Sequence, residues 1–150
     1  MTSKAAIDDF IAQPVLAVAG ASRDGRKFGN AVYRDLKSKG YVVFAVNPNA
    51  ETVEGDPSYK SLADLPQKVG GVVIVTPPAV TEKLVQEAAA AGITRIWMQQ
   101  GAQSPTAIKF CQDHGLTLVH GECILMYQPN PASFHKFHRF FKELLGGKPK

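Results

Sequence analysis

The chain has 150 residues, 45% of them hydrophobic and 20% charged, with a formal net charge of +4. A chain of this length buries roughly 68–70% of the surface its unfolded form exposes, enough for a core without disulfides or structural metals, which excludes disorder for most of it. Its basic residues are scattered, apart from Arg23, Arg26 and Lys27 and a Lys148-Pro149-Lys150 tail, a distribution that suits an anionic ligand and counts against a nucleic acid.

Val15 to Ala19 reads as the first strand, ended by Gly20. From Gly29 to Lys39, Val32, Tyr33 and Leu36 share a helical stripe that stops at Gly40. Tyr41 to Val46 forms the second strand, closed by Asn47-Pro48, and the polar stretch Asn49 to Asp56 reads as a loop. A short helix is expected at Ser61 to Leu65. Val72 to Val75 is the third strand, cut by Thr76-Pro77-Pro78. Thr81 is expected to cap a helix from Glu82 to Ala91, and Arg95 to Gln99 follows as the fourth strand. Ser104-Pro105 opens another helix running to His114, and Leu116 to Val119 is the fifth strand. Beyond it, Phe134, Phe137, Phe140, Phe141 and Leu144 recur at helical steps in a tail over 127–150.

This alternation predicts one domain with an α/β, Rossmann-like, doubly wound, parallel five-stranded sheet and helices on both faces. Two cysteines twelve positions apart do not make a disulfide framework, and no basic segment leads into an apolar signal core. A reducing, cytoplasmic address follows. The apolar runs are strand-length, whereas a membrane helix needs about 20 apolar residues.

In such sheets the ligand lies outside the carboxyl ends of the strands, where the strand order reverses. Gly20-Ala21-Ser22-Arg23-Asp24-Gly25 fits a G-x-S-x-x-G pattern directly after a strand, the dinucleotide fingerprint with serine at its second glycine. Gly20 permits a tight turn, helix N-terminal N–H groups face an anion, and Ser22 adds a hydroxyl donor. An ordinary strand-to-helix turn is the plain alternative. A nicotinamide dinucleotide enzyme places an acidic residue about 20 positions further on to hold the ribose. Asn47 stands there instead. Arg23, Arg26 and Lys27 supply a density of positive charge suited to more phosphate than NAD carries, although each alone also reads as a solvated cation.

Gly20-Ala21-Ser22, Val46-Asn47-Pro48, Thr76-Pro77-Pro78 and Trp97-Met98-Gln99-Gln100-Gly101, with Cys123 after the last strand, resemble the small stand-alone CoA-binding proteins. Their fold is similar to the CoA-binding domain of the succinyl-CoA synthetase α subunit and of ADP-forming acyl-CoA synthetases. The resemblance runs in order over residues 7 to 126. It implies that Gly20, Ala21 and Ser22 contact the CoA diphosphate, with Lys27, and Arg23 or Arg26, on phosphate. Asn47 and Pro48 would border the adenosine. Thr76, Pro77 and Pro78 would line the wall near adenine and pantetheine, and Gln99 to Gly101 the pantetheine end. The prolines fix these loops in extended form, which lowers the entropy lost on binding. His120-Gly121-Glu122 departs from the acidic and basic residues that relatives tend to carry before the cysteine, which leaves the fifth strand's loop without an assigned role.

Cys111, His114, His120 and Cys123 carry zinc-ligand types, but a helix end, a glycine and a strand separate the two pairs. Cys111 reads as a buried helix-face residue and His114 as a surface one. His135 and His138 lie on a solvated helix edge of the Phe-rich tail. Cys123 beside Glu122 and His120 lacks the third group that would orient a nucleophile and its base. No metal site and no catalytic constellation are expected. The Phe stripe reads as core, with a dimer surface or a cover over the thiol end of CoA as alternatives.

The expectation is thus a CoA or acyl-CoA binder, non-catalytic alone because the chain has no room for the phosphohistidine domain that the synthetases require. A carrier, a sensor or a partner-dependent subunit fits, and a homodimer stays open. Two alternatives remain. One is an NAD(P)-binding oxidoreductase or redox sensor on the same glycine turn. The other is an interaction module with a vestigial pocket.

Overall fold

The Ser3 hydroxyl accepts the Ala6 N–H at 3.1 Å and so starts helix α1 (Lys4–Ile11), which buries Ile7 and Phe10. The sequence pattern assigns nothing here, because two apolar contacts on eight residues leave too little periodicity to read. The computed structural model describes residues 2–129. In it β1 (Val15–Ala19), α2 (Phe28–Ser38), β2 (Val42–Val46), β3 (Thr52–Val53) and β4 (Asp56–Tyr59) come next. They are followed by β5 (Gly71–Ile74), α3 (Pro78–Ala90), β6 (Arg95–Met98), α4 (Pro105–Asp113) and β7 (Thr117–His120). Two 3-10 turns cover Leu62–Asp64 and Ile124–Met126.

The sheet order is β3-β4-β2-β1-β5-β6-β7, parallel everywhere except between β3 and β4. Its central strands β1 and β5 are without polar side chains and buried throughout because both faces are covered. Leu16, Val18, Val73 and Trp97 meet Phe10 of α1 and Val32 and Leu36 of α2 in one core. Ala17, Ala19, Val72, Ile74, Ile96 and Met98 meet Leu84, Val85 and Ala88 of α3 and Ala107 and Cys111 of α4 in the other. The doubly wound α/β architecture expected from the alternation is the one observed. Among the described residues no helix is long and apolar enough to cross a membrane.

The strand count is seven rather than five, because the stretch expected as a loop at Asn49 to Asp56 folds back as a hairpin. Glu54 (φ 51°) and Gly55 (φ 82°) both take left-handed backbone, the geometry of a two-residue turn that matches strand twist. Val53 pairs with Asp56, and β4 then adds to β2 through Ala45 with Ser58 and Val46 with Tyr59. Glu-Gly is not among the dipeptides that announce such a turn, so the signal was weak.

Helix α3 begins at Pro78, with Thr81 inside it and buried rather than capping it. Pro78 at the first position lacks only an N–H that has no helical partner there. Thr81 bonds the Thr76 hydroxyl at 2.8 Å and donates to the Pro77 carbonyl at 3.3 Å. Ser104 caps α4 as expected, accepting the Ala107 N–H at 3.0 Å. Residues 127–129 are not helical, and Phe134, Phe137, Phe140, Phe141, Leu144, His135 and His138 lie outside the described residues.

Tyr33 of α2 donates to Asp56 Oδ2 at 2.6 Å, and Lys37 pairs with the same oxygen, which ties the hairpin to the helix. The Lys37 ammonium, then the Tyr33 phenol, hold the Asp56 carboxyl below its ordinary range. Burial, then this carboxylate, lifts the Tyr33 phenol above its own. A folded-state pKa that is lowered adds stability above the unfolded pKa, and this stability is lost as pH falls through the folded value. In urea melts the wild type should exceed Asp56→Asn by a constant margin at neutral pH, and the margin should shrink below about pH 4. A margin that does not change with pH would place the contribution elsewhere than in the charge of Asp56.

Candidate functional site

The chain leaves β1 through Gly20 at φ +123°, where an added Cβ would sit 2.1 Å from the Val75 carbonyl oxygen. Only glycine fits this crossing of the β1 and β5 exits. The first turn of α2 then presses onto Gly20 through Gly29, whose added Cβ would lie 2.4 Å from the Gly20 oxygen. In a dinucleotide fingerprint the third glycine packs helix against strand. That contact belongs to Gly29, not to Gly25, where an added Cβ would meet nothing closer than 3.3 Å. The reason is a longer turn: Asp24 Oδ1 accepts the Arg26 N–H at 3.0 Å, and the extra bend delays the helix to Phe28.

Asn30, fully buried on α2, clamps that turn. Its Oδ1 accepts the Ser22 N–H at 2.8 Å, and its Nδ2 donates to the Ser22 carbonyl at 2.7 Å and to Glu54 Oε2 at 2.9 Å. Glu54 also takes Arg34 Nη1 at 3.0 Å. The Asn30 hydrogen bond, then Arg34, holds its carboxyl below the usual carboxylate range. The Ser22 hydroxyl, expected to face an anion, accepts the Asp24 N–H at 3.1 Å within the turn. At the end of β2, Asn47 Nδ2 donates to the Ala21 carbonyl at 2.9 Å and its Oδ1 accepts the Asn49 N–H at 2.7 Å. The second loop is thereby fastened to the first.

Between these loops and α3 opens a cleft of about 430 Å³. Gly20, Asn47, Pro48, Thr76 and Pro77 of the expected site line it, over an apolar floor that includes Val46 and Leu84. The structure adds Lys60 and Lys83, which sequence reasoning missed. Ala21, Ser22, Arg23, Arg26 and Lys27 lie on the adjoining turn, and Pro78 starts α3 beside it. Gln99 and Gly101 stand apart, beyond β6. The Gln99 side chain accepts the Trp97 indole N–H at 3.1 Å and the Ile124 N–H at 2.7 Å, and donates to Cys123 Sγ at 3.3 Å. It therefore latches the segment after β7, and Gly101 (φ +94°) donates its N–H to Gln103 at 2.9 Å.

Charge pairing is uneven. Arg26 pairs with Asp24, Arg34 with Glu54 and Lys37 with Asp56, and Lys4, Lys39, Arg95 and Lys109 also have partners. Among the described residues, Arg23, Lys27, Lys60, Lys68 and Lys83 make no ion pair. All of these except Lys68 flank the glycine turn or the cleft. The zinc-type residues do not assemble: among the described residues no three of His, Cys, Asp and Glu gather to hold a metal. Cys111 is buried, which pushes its thiol up to about 11. Glu122 accepts the Tyr127 hydroxyl at 2.6 Å.

A family model described as a CoA binding domain matches residues 15–129. Over 139 residues the chain is 27% identical to an ADP-forming acetate-CoA ligase I of Archaeoglobus fulgidus, a match covering 86% of this chain and 20% of that one. Over 88 residues it is 34% identical to the alpha subunit of an ADP-forming acetate-CoA ligase II of Pyrococcus furiosus, covering 58% and 19%. The chain spans about a fifth of the length of these curated relatives. A conserved hypothetical protein of Pyrococcus furiosus with a solved structure superposes with a TM-score of 0.71 at 39% identity, over 74% of this chain and 96% of that one.

Asn30→Ala leaves the Ser22 N–H and carbonyl without their buried partners. It should destabilise the fold by about 1–3 kcal/mol in a denaturant melt. It should also increase hydrogen exchange at Ser22 well above that at β1. An unchanged Ser22 exchange rate would mean that the turn is held by its backbone alone.

Proposed function

The chain belongs to the CoA binding domain family, and from that premise we propose that it holds CoA or an acyl-CoA along the cleft at the carboxyl ends of β1, β2 and β5. One observation carries this reading: of the basic side chains without an ion-pair partner, Lys60 and Lys83 line the apolar-floored cleft, and Arg23 and Lys27 lie on the glycine turn at its head. A ligand with a polyanionic head and a long neutral arm matches that division. The diphosphate lies at the Gly20-Ala21-Ser22 turn, with Lys27 and Arg23 on it, while Arg26 already faces Asp24 at 3.1 Å. Asn47 and Pro48 border the adenosine, and Thr76 and Pro77 line the wall.

The curated relatives are named for acyl-CoA formation, and from them we carry over the ligand rather than the reaction. Binding without turnover by this chain alone is supported by the state of its reactive groups. Burial holds the Cys111 thiol up to about 11, Cys123 Sγ accepts the Gln99 amide, and Glu122 is bonded to Tyr127. A cytoplasmic carrier or partner-dependent subunit goes with this reading. The nicotinamide alternative is less favoured, since Asn47 rather than a carboxylate ends β2 and the family match names a different ligand.

Calorimetric titration at fixed salt with CoA and NAD tests the assignment, and CoA should bind while NAD does not. Lys27→Ala should remove a charge-assisted phosphate contact of about 1.5–3 kcal/mol, a loss of roughly tenfold or more in CoA affinity. Binding of NAD alone, or turnover of an acyl-CoA by the purified chain at enzyme-like rates, would overturn the corresponding half of the proposal.

A further inference from the structure

The glycine turn accounts for Arg23 and Lys27, but Lys60 and Lys83 stand in the cleft with no contact assigned to them. Lys60 directly follows β4, whose last residue pairs with Val46 at the end of β2. The Asn47 N–H donates to the Tyr59 carbonyl at 2.8 Å, which fixes Lys60 beside the end of β2. Lys83 comes from the second turn of α3, on the helix side of the same cleft. In a doubly wound sheet, the end of the second strand is where an adenosine ribose is read. A carboxylate there accepts from free ribose hydroxyls, whereas a nearby cation accommodates a ribose phosphate.

Here the end of β2 bears Asn47, whose amide is engaged by Ala21 and Asn49, and Lys60 and Lys83 line the cleft beside it. Glu87 also lines the cleft, one turn further along α3 than Lys83, so two cations face one carboxylate. A phosphomonoester brings about −1.5 to −2 charges at neutral pH. Lysine ammoniums, compact and with rotatable donors on flexible stems, suit such a group approached from two walls. We propose that Lys60 and Lys83 form a ribose-phosphomonoester site, which makes the chain selective for CoA carrying its 3′-phosphate over the dephospho form. This inference rests on the CoA reading of the cleft.

Titration of the full chain and of the Lys60→Ala/Lys83→Ala double variant with CoA, dephospho-CoA, NADP and NAD separates the two. The wild type should bind CoA about tenfold or more tighter than dephospho-CoA, and in the double variant that ratio should fall to about one. Both lysines are exposed, and retained dephospho-CoA binding reports that the variant is folded. Equal wild-type affinity for CoA and dephospho-CoA, or a ratio that survives in the double variant, overturns the lysine site and leaves the CoA reading standing. Binding of NADP over NAD without CoA, with the preference lost in the double variant, supports the phosphomonoester site and overturns the CoA reading. Binding of none of the four overturns both.

Discussion

At Gly20 the exits of two central strands and the first turn of a helix come closer than any side chain allows. A Cβ there would lie 2.1 Å from the Val75 carbonyl, and one at Gly29 would lie 2.4 Å from the Gly20 carbonyl. The two close approaches are coupled, since Gly29 packs on the peptide that Gly20 turns. They determine where β1 ends, where α2 begins and how near α2 stands to the sheet. The cleft exists because β1 and β5 send their chains to opposite faces at this point. Gly20 lies at its head and α3, entered from β5, forms its far wall.

Side-chain amides fasten the loops around that junction. Asn30 holds both polar groups of Ser22, Asn47 joins the second loop to the first, and Gln99 joins the end of β6 to the segment after β7. Each amide is buried or half-buried and uses donor and acceptor together, which removes the penalty that an unpaired amide end would carry. A neutral clamp has a further consequence. It leaves the cations near the cleft unneutralised, whereas a loop held by ion pairs, as Arg34 and Glu54 hold the hairpin turn, consumes the charge it uses.

Much of this was legible in the sequence. The five principal strands, the doubly wound order and the glycine turn follow from β-branched runs broken by Gly and Pro, and those signals are local. Gly20, Asn47, Pro48, Thr76 and Pro77 converge on one cleft because all lie at carboxyl ends of adjacent parallel strands. What was not legible depended on distance in three dimensions. Gly25 sits at the fingerprint spacing, yet the close contact falls to Gly29, because an Asp24 bend lengthens the turn. Asn30 looks like any polar residue of a helix until Ser22 is seen beneath it. Lys60 was hidden with the hairpin: between a loop expected at Asn49 to Asp56 and a short helix expected at Ser61 to Leu65, it had no reason to stand next to Asn47. Gln99 carried a motif position that the resemblance assigns to ligand, and its hydrogen bonds show a structural duty there as well.

The distribution of charge then bears on affinity in a way that the fold alone does not. An exposed ion pair contributes little to stability, commonly about 0–1 kcal/mol, so pairing Lys60 or Lys83 with a neighbouring carboxylate would stabilise this fold only slightly. The same pairing would neutralise the field at the cleft, where apolar walls keep charges less screened than at an open surface. Unpaired lysines therefore forgo a small gain in stability and keep a larger potential for an incoming anion. The apolar floor formed in part by Val46 and Leu84 makes the complementary selection, favouring a ligand whose charge is confined to one end. A small free phosphate satisfies the cations and leaves the floor wet, whereas a phosphorylated nucleotide with a long neutral arm satisfies both.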